Sequence, residues 1–198
     1  SGRVLTVWAC VSPLLVRAWG IIIGSGYARE WPECQTALRS GQHLVCLFRV
    51  KPMPTHVVAV LAFDRISAFH LSIPCVVFGE AHPGMPPFTL RVFSVDKSPL
   101  RTSSGFSLNV EHGLKAIAGA RTVIVPSWRD PDERPPAELL AALVAAHLRG
   151  ADIVGLCLGA YVLAEAGLLD GRRATTHWEC AADFARRYPQ VRLDPAVL

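Results

Sequence analysis

The chain has 198 residues, 51% of them hydrophobic, and a formal net charge of +4. This length suits one domain with a packed core, and the low fraction of charged residues excludes an intrinsically disordered chain. The basic pairs Arg172-Arg173 and Arg186-Arg187 are too short to form a nucleic-acid footprint, so they are interpreted as solvated surface.

The cysteine spacing excludes two classes of protein. There are six cysteines, at positions 10, 34, 46, 75, 157 and 180. They form no Cys-x-x-Cys pair, and no histidine cluster has zinc-ligand spacing, so neither a metal site nor a cofactor is predicted. A disulfide scaffold is not expected at this length and cysteine density, and a reducing cytoplasm fits better.

The apolar segment near the N-terminus resembles neither a membrane span nor an export signal. Residues 4–23 are mostly apolar, but Pro13 and Arg17 interrupt them. A span needs about 20 apolar residues without a central charge. A secretory signal needs a basic start and a small-residue cleavage site. We therefore expect no membrane association.

Strand-like and helix-like segments begin to alternate after Pro54. The first half predicts strand 56–63, helix 66–78, strand 88–95, helix 110–118 and strand 122–125. The second half predicts loop 130–136, helix 136–148, strand 152–156, helix 160–169, strand 173–176 and helix 178–188. This alternation predicts an α/β domain whose mostly parallel sheet carries helices on both faces.

One short motif between a predicted strand and a predicted helix could carry chemistry. Gly155-Leu156-Cys157-Leu158-Gly159 has the pattern of a nucleophile elbow, whose glycines allow a sharp turn and close packing of strand against helix. A thiol at the N-terminus of a helix is expected to have a lowered pKa. The alternative is a buried structural cysteine that follows a core strand.

Three further residues are candidates for the same site. His177 follows a predicted strand and could reach Cys157, or it could be an ordinary surface or capping histidine. Ser127 and Trp128 close the strand 122–125, and their backbone amides could face Cys157 as a cradle for an oxyanion or a carboxylate. The alternative is a plain proline turn with Trp128 packed on it.

These residues together resemble a known family. The run Gly155–Trp178, and within it Ala166–Trp178, is similar to the ThiJ/PfpI superfamily, also called class I glutamine amidotransferase-like. Within that superfamily, the chain most resembles the N-terminal sensor domain of GlxA-like transcription regulators of the AraC type. Looser matches occur at residues 69–72, 77–79 and 125–128.

The resemblance implies a flavodoxin-like three-layer sandwich with a cysteine nucleophile elbow, usually in a dimer. In the enzyme members, an acidic residue near the first helix hydrogen-bonds the cysteine. In the AraC-type members, the domain senses a small molecule and a C-terminal helix-turn-helix domain binds DNA. The ligand-binding residues implied here are Cys157, Leu158, Ser127, Trp128, His70 and His177.

The sequence departs from the family pattern in ways that affect the predicted function. His70 stands where the family usually carries Asp or Glu, and Ser127 stands where Gly is common. The chain ends at Leu198, so we expect the domain to be truncated at its C-terminus, without its last elements and without the helix-turn-helix domain. Members usually begin just before the first strand, which predicts a domain over residues 53–198. Residues 1–52 are then an extension of uncertain structure that need not be native coding sequence.

The leading hypothesis is a cytoplasmic sensor domain of an AraC-type transcription regulator. It would bind a small-molecule effector beside Cys157, form a homodimer and reach DNA only through a C-terminal domain absent from this chain. The alternative is a hydrolase, hydratase or deglycase with Cys157 as nucleophile and His177 as general base. A redox sensor at Cys157 and a fragment without activity are further alternatives.

Overall fold

The structure, a computed structural model, describes three segments of the chain: residues 3–7, 56–80 and 88–194. Tertiary contacts divide the chain into one unit made of residues 1–10 and 55–198 and another made of residues 11–54. The second unit lies outside the described residues, as do residues 195–198. Most of the predicted extension is therefore outside the described part of the chain.

The described elements alternate as the sequence predicts. The strands are β1 (Val4–Val7), β2 (His56–Ala62), β3 (Phe88–Ser94), β4 (Leu100–Arg101), β5 (Ser107–Leu108), β6 (Thr122–Val125), β7 (Asp152–Leu156), β8 (Arg173–Ala174) and β9 (Arg192–Leu193). The helices are α1 (Ala68–Gly79), α2 (Ala137–Leu148), α3 (Gly159–Glu165) and α4 (Ala181–Arg187), with 3-10 turns at Leu114–Ile117 and Trp178–Cys180.

One parallel sheet organises the described residues. Its strands lie in the order β1-β7-β6-β2-β3, and every pairing between neighbours is parallel. Two pairs of short strands lie outside it, the antiparallel pair β4–β5 and the parallel pair β8–β9. The prediction of an α/β fold with a mostly parallel sheet is confirmed.

The sheet is buried on both faces because its strands are apolar on both faces. Successive residues of β2 point to opposite sides, so Val58 and Leu61, both fully buried, belong to two different hydrophobic clusters. Phe78 of α1 packs in the cluster of Val58, and Leu143 of α2 packs in the cluster of Leu61. Helices therefore cover both faces, as in a three-layer sandwich.

The strand β1 comes from the segment predicted to be an extension, in which the sequence pattern indicated no strand. Val4–Val7 pair with Ile153–Leu156 of β7. The Arg3 amide donates a hydrogen bond of 2.9 Å to Asp152 Oδ1, and the Arg3 guanidinium lies 3.3 Å from Asp152 Oδ2. These residues belong to the sheet, whereas the boundary at residue 53 stays a prediction.

The helices differ from their predicted bounds for local reasons. α1 begins two residues later than predicted and continues through Pro74 to Gly79. α3 ends four residues before the predicted Leu169, because Gly167 with φ 69° provides the left-handed residue that commonly follows a helix. None of the helices within the described residues is long and apolar enough to span a membrane.

The predicted helix over residues 110–118 is wrong except for the 3-10 turn at Leu114–Ile117. The Ser94 amide donates a hydrogen bond of 2.9 Å to the His112 carbonyl, and His112 forms a parallel bridge with Phe93. These contacts with β3 hold the start of the segment extended. The β4–β5 pair, which lies just before it, was not predicted either.

The carboxyl ends of four neighbouring strands meet at one edge of the sheet. Asp64 follows β2, Asp96 follows β3, Ser127 follows β6 and Cys157 follows β7. Open α/β sheets bind ligands at this edge. The candidate site therefore lies at the place that the topology favours.

Candidate functional site

The turn from β7 into α3 holds Cys157 in a strained backbone conformation. Cys157 has φ 51°, in the left-handed region that non-glycine residues rarely adopt. A Cβ atom on Gly159 would lie 2.2 Å from the Val125 carbonyl oxygen, and one on Gly155 would lie 3.0 Å from Leu163 Cδ2. Both glycines are therefore required by close packing, which agrees with the geometry expected of an elbow.

The Cys157 thiol is protonated at neutral pH rather than activated. The residue is 7% exposed, and burial raises the pKa of its thiol. Hydrogen bonds from the Leu158 backbone and the Ser127 side chain offset part of this rise in pKa, and the charge of an ionised Cys180 would add to it. The expectation of a lowered thiol pKa is wrong, because desolvation outweighs the amides at the start of α3.

Ser127 and Trp128 follow β6 but have different roles. Ser127 is buried, its hydroxyl donates a hydrogen bond of 3.4 Å to the Trp128 carbonyl, and its side chain acts to lower the pKa of the Cys157 thiol. The indole of Trp128 is a core group: it packs on Phe63 at 5.2 Å between ring centroids, and its Nε1 donates a hydrogen bond of 2.7 Å to the Glu133 carbonyl. A contribution of the Trp128 amide to ligand binding stays a prediction.

His177 lies in the segment that follows β8, next to the elbow. Its neighbour Thr176 donates a hydrogen bond of 3.3 Å to the Cys157 carbonyl. His177 Nδ1 accepts a hydrogen bond of 3.3 Å from the Glu179 amide and so caps the 3-10 turn, and its ring stacks on Trp178 at 5.8 Å between centroids. The accepting role of Nδ1 places a proton on Nε2 of the neutral ring.

His70, the third residue of α1, is close enough to His177 for their charges to interact. Burial lowers the pKa of His70, and a charge on His177 lowers it further. Its Nδ1 atom is buried and has no hydrogen-bond partner among the described residues. His70 is therefore neutral at physiological pH, and one of its ring nitrogens is available for a further hydrogen bond.

The structure relates the predicted site residues in two groups, one around Cys157 and one made of the two histidines. The Ser127 side chain and the Leu158 backbone both act to lower the pKa of Cys157, and Leu158 also packs against the main hydrophobic cluster. His70 and His177 interact with each other. None of the groups that set the pKa of Cys157 is a carboxylate. Within the described residues, no group of three His, Cys, Asp or Glu side chains could hold a metal ion.

A network of ion pairs in the loop that follows β6 was not predicted. Arg129 Nη1 lies 2.7 Å from Asp96 Oδ2, and Arg129 Nε lies 2.6 Å from Glu133 Oε1. Arg65 pairs with the other oxygen of Glu133 at 2.9 Å, and the Asp64 amide donates a hydrogen bond to Asp96. Asp64 and Asp96, each two positions after the end of a strand, were the one signal in the sequence that could have indicated it.

A second unpredicted connection links α3 to the segment after His177. The hydroxyl of Tyr161, four residues after Cys157, donates a hydrogen bond of 3.0 Å to Asp183 Oδ2 and lies 3.2 Å from the Cys180 carbonyl oxygen. The bond to Asp183 and the burial of the ring raise the pKa of Tyr161 far above its usual range. The elbow helix is thereby tied to α4.

The profile of the DJ-1/PfpI family matches residues 56–192. The chain belongs to this family. The match to the DJ-1/PfpI family begins with β2 and ends in β9, and it includes the elbow, both candidate histidines and the ion pairs of Arg129.

Individual relatives indicate in which proteins such a DJ-1/PfpI domain occurs. An uncharacterized protein in the cpoL 5' region of Streptomyces lividans is 39% identical over 136 residues, which are 68% of this chain and 96% of that protein. The HTH-type transcriptional regulator CdhR of Pseudomonas aeruginosa is 37% identical over 100 residues, which are 50% of this chain but 30% of the regulator.

One solved structure of a transcription regulator is also similar to this chain. The crystal structure of an AraC family transcriptional regulator from Pseudomonas putida superposes with a TM-score of 0.57 at 26% sequence identity. The superposition covers 72% of this chain and 77% of that chain. The relatives of this chain therefore include transcription regulators with a DJ-1/PfpI domain, and this chain spans about a third of the regulator CdhR.

Proposed function

We propose that this DJ-1/PfpI domain senses a small molecule for an AraC-type transcription regulator, with its ligand pocket beside Cys157. The observation that carries the proposal is the protonated thiol, which sits on a strained elbow without a carboxylate among the groups that set its pKa. A neutral thiol suits ligand recognition better than nucleophilic attack, because the thiolate is the reactive form. The regulators among its relatives support this choice.

The chemistry of the pocket indicates the class of effector. Ser127, Cys157, His70 and His177 offer hydroxyl, thiol and imidazole groups, and Leu158 adds an apolar surface. These groups donate and accept hydrogen bonds, so they suit a small polar or nitrogenous metabolite rather than a large apolar ligand. His70 Nδ1 has no partner among the described residues and would gain a hydrogen bond from such an effector.

The larger assembly follows from the same proposal. A regulator of this kind acts as a homodimer in the cytoplasm, and it contacts DNA through a separate helix-turn-helix domain. The effector would change how the dimer presents those domains, since a ligand shifts an equilibrium only by its difference in affinity for two states. Sedimentation of the purified chain would test the dimer, and a monomer at micromolar concentration would contradict it.

A thermal-shift experiment tests the proposed pocket. Each standard amino acid, its amide and simple amines would be added to the chain, and the unfolding temperature would be measured. A true effector at 100 times its Kd contributes about 2.7 kcal/mol of stability. His70→Ala should abolish the shift, whereas His112→Ala, at an exposed position, should retain it.

The same samples distinguish sensing from catalysis. If Cys157 were a nucleophile with His177 as its base, the ligand would be consumed, and consumption would stop in Cys157→Ser. We expect nuclear magnetic resonance to find the ligand unchanged after prolonged incubation. Turnover that depends on Cys157 would replace the sensor proposal with the hydrolase, hydratase or deglycase alternative.

A further inference from the structure

His177 lies in a segment outside the main sheet. The segment 175–180 follows β8, a strand of two residues that pairs with β9. Trp178, directly after His177, is 63% exposed, so little packing covers this part of the chain. Trp178–Cys180 form a single 3-10 turn, closed by a hydrogen bond of 2.9 Å from the Cys180 amide to the His177 carbonyl. Because hydrogen-bond geometry is poor in a short 3-10 turn, contacts from elsewhere in the fold must keep it in place.

Two side-chain hydrogen bonds fasten this segment to the elbow, one on each side of His177. Thr176 donates a hydrogen bond of 3.3 Å to the Cys157 carbonyl. On the other side, the hydroxyl of Tyr161 donates to the Cys180 carbonyl oxygen at 3.2 Å. Tyr161 lies on α3, one helical turn after Cys157. The elbow and the helix that follows it therefore bracket His177 from both sides.

The Tyr161 side chain is suited to holding a fixed position. Its ring is 2% exposed and packs edge-on against Phe184 and Tyr188, with centroids 4.9 Å and 5.9 Å away. The hydroxyl also lies 3.0 Å from Asp183 Oδ2 in the first turn of α4. Burial and the bond to Asp183 raise the pKa of Tyr161 far above its usual range, so the hydroxyl keeps its proton and remains a donor.

We propose that Tyr161 is a positioning residue of the candidate site: by holding the turn Trp178–Cys180 against α3, it fixes the place of His177 beside the elbow. His177 caps that turn, since its Nδ1 accepts a hydrogen bond of 3.3 Å from the Glu179 amide, so the imidazole moves when the turn moves. The inference rests on the proposed function for the role of His177 in effector binding. Its test uses no effector, so a failure of one proposal can be told from a failure of the other.

The test measures how fast diethyl pyrocarbonate modifies the His177 imidazole in the full chain at neutral pH. The reagent acylates an unprotonated ring nitrogen, and mass spectrometry of the separated peptides gives the rate for each histidine. Tyr161→Phe keeps the buried ring and removes the donor. The rate at His177 should rise about fivefold, because the loss of one hydrogen bond increases the population of the open turn, in which Nδ1 is released from the Glu179 amide.

Two other histidines in the same sample separate a local change from a general loosening of the fold. His112 is exposed, so its rate should be the same in both proteins. His56 is 6% exposed, so it reacts when the fold opens. A merely structural role of Tyr161 would raise the rates at His56 and His177 together. Equal increases at these two histidines, or an unchanged rate at His177, would overturn the proposal.

Tyr188→Phe is the matched control variant. Tyr188 belongs to the same aromatic cluster, and its hydroxyl also bonds a carboxylate, with 3.2 Å to Glu165 Oε2. That bond joins the far end of α3 to the residue after α4, and not to the turn that His177 caps. The rate at His177 should therefore stay at the value of the parent protein. A rise as large as that in Tyr161→Phe would contradict a specific role of Tyr161.

A measurement on the parent protein keeps the test decisive if Tyr161→Phe fails to fold. A hydroxyl proton that is buried and hydrogen-bonded exchanges slowly with water. Nuclear magnetic resonance should therefore find that the hydroxyl proton of Tyr161 exchanges at least about tenfold more slowly than that of an exposed tyrosine in a peptide. Exchange as fast as in the peptide would overturn the proposal.

Discussion

The turn 155–159 and the loop 126–133 both supply the surroundings of the Cys157 thiol, but different forces hold them. The turn is fixed by backbone packing, with Gly159 directly against the Val125 carbonyl. The loop is fixed by charged side chains, above all Arg129 between Asp96 and Glu133. The stability of the turn should therefore depend on side-chain volume, whereas the stability of the loop should depend on charge and on pH.

The largest expected effect is on the turn. Gly159→Ala would place a methyl group 2.2 Å from the Val125 carbonyl oxygen, which cannot move without disturbing β6. Overpacking of this kind costs about 3 kcal/mol. Urea denaturation should show the lost stability. Gly113→Ala is the matched control, because its nearest contact would be an ordinary 3.9 Å and its stability should stay near that of the parent protein.

The corresponding change in the loop should cost less. Arg129→Ala removes a side chain that is 9% exposed and leaves Asp96 and Glu133 facing each other without a cation between them. We expect a loss of about 2 kcal/mol in the free energy of unfolding, below the cost of breaking a fully buried pair. Arg65→Ala is the comparison, because its pair with Glu133 is exposed and is worth under about 1 kcal/mol. Equal losses in both variants would refute the central role of Arg129.

The loop should also respond to acid. Burial acts to raise the pKa of Asp96, but the hydrogen bond from Arg129, the amide of Asp64 and the charge of Arg129 outweigh it, so the pKa lies below the ordinary 3.8. The carboxylate therefore stabilises the fold above about pH 4, and this contribution is lost as the pH falls through the lowered pKa. In urea titrations at several pH values, the free energy of unfolding falls on going from neutral to acid pH. Asp96→Asn should reduce this fall by about 1 kcal/mol. The same slope in both proteins would contradict this.

The smallest effect should come from the hydrogen bond that Thr176 makes to the turn. Thr176→Val removes the donor to the Cys157 carbonyl, which also accepts from the Ala160 amide at 3.4 Å. Because that carbonyl keeps a partner, the expected cost is about 0.5 kcal/mol in thermal or urea unfolding. A cost as large as that of Gly159→Ala would mean that side chains, rather than backbone packing, hold the turn.

The features that were predictable from sequence are local ones. The strands Thr122–Val125 and Asp152–Leu156 have their predicted bounds, because each is a short apolar run between turn residues. The elbow was recognisable because close packing there tolerates only glycine on either side of Cys157. Both signals lie within about ten residues of the feature that they indicate.

The features that escaped prediction depend on contacts between distant residues. Asp96 and Arg129 are 33 positions apart, and nothing in the local pattern pairs them. The pKa of Cys157 is set by desolvation, which depends on everything that packs above the turn and not on the helix that follows it. The first residues of the predicted helix 110–118 pair with β3 instead of forming a helix, because this tertiary contact overrides local helix propensity.

The position of β1 has a consequence for the order of folding. Its anchor joins Arg3 to Asp152, which are 149 positions apart, so this pairing closes one of the longest loops in the chain. Contacts of such separation form late, because chain entropy must be lost before they are gained. Until then, the strand that leads into the elbow has an open edge on which another chain can pair. Slow refolding at high protein concentration should therefore produce aggregates nucleated at β7.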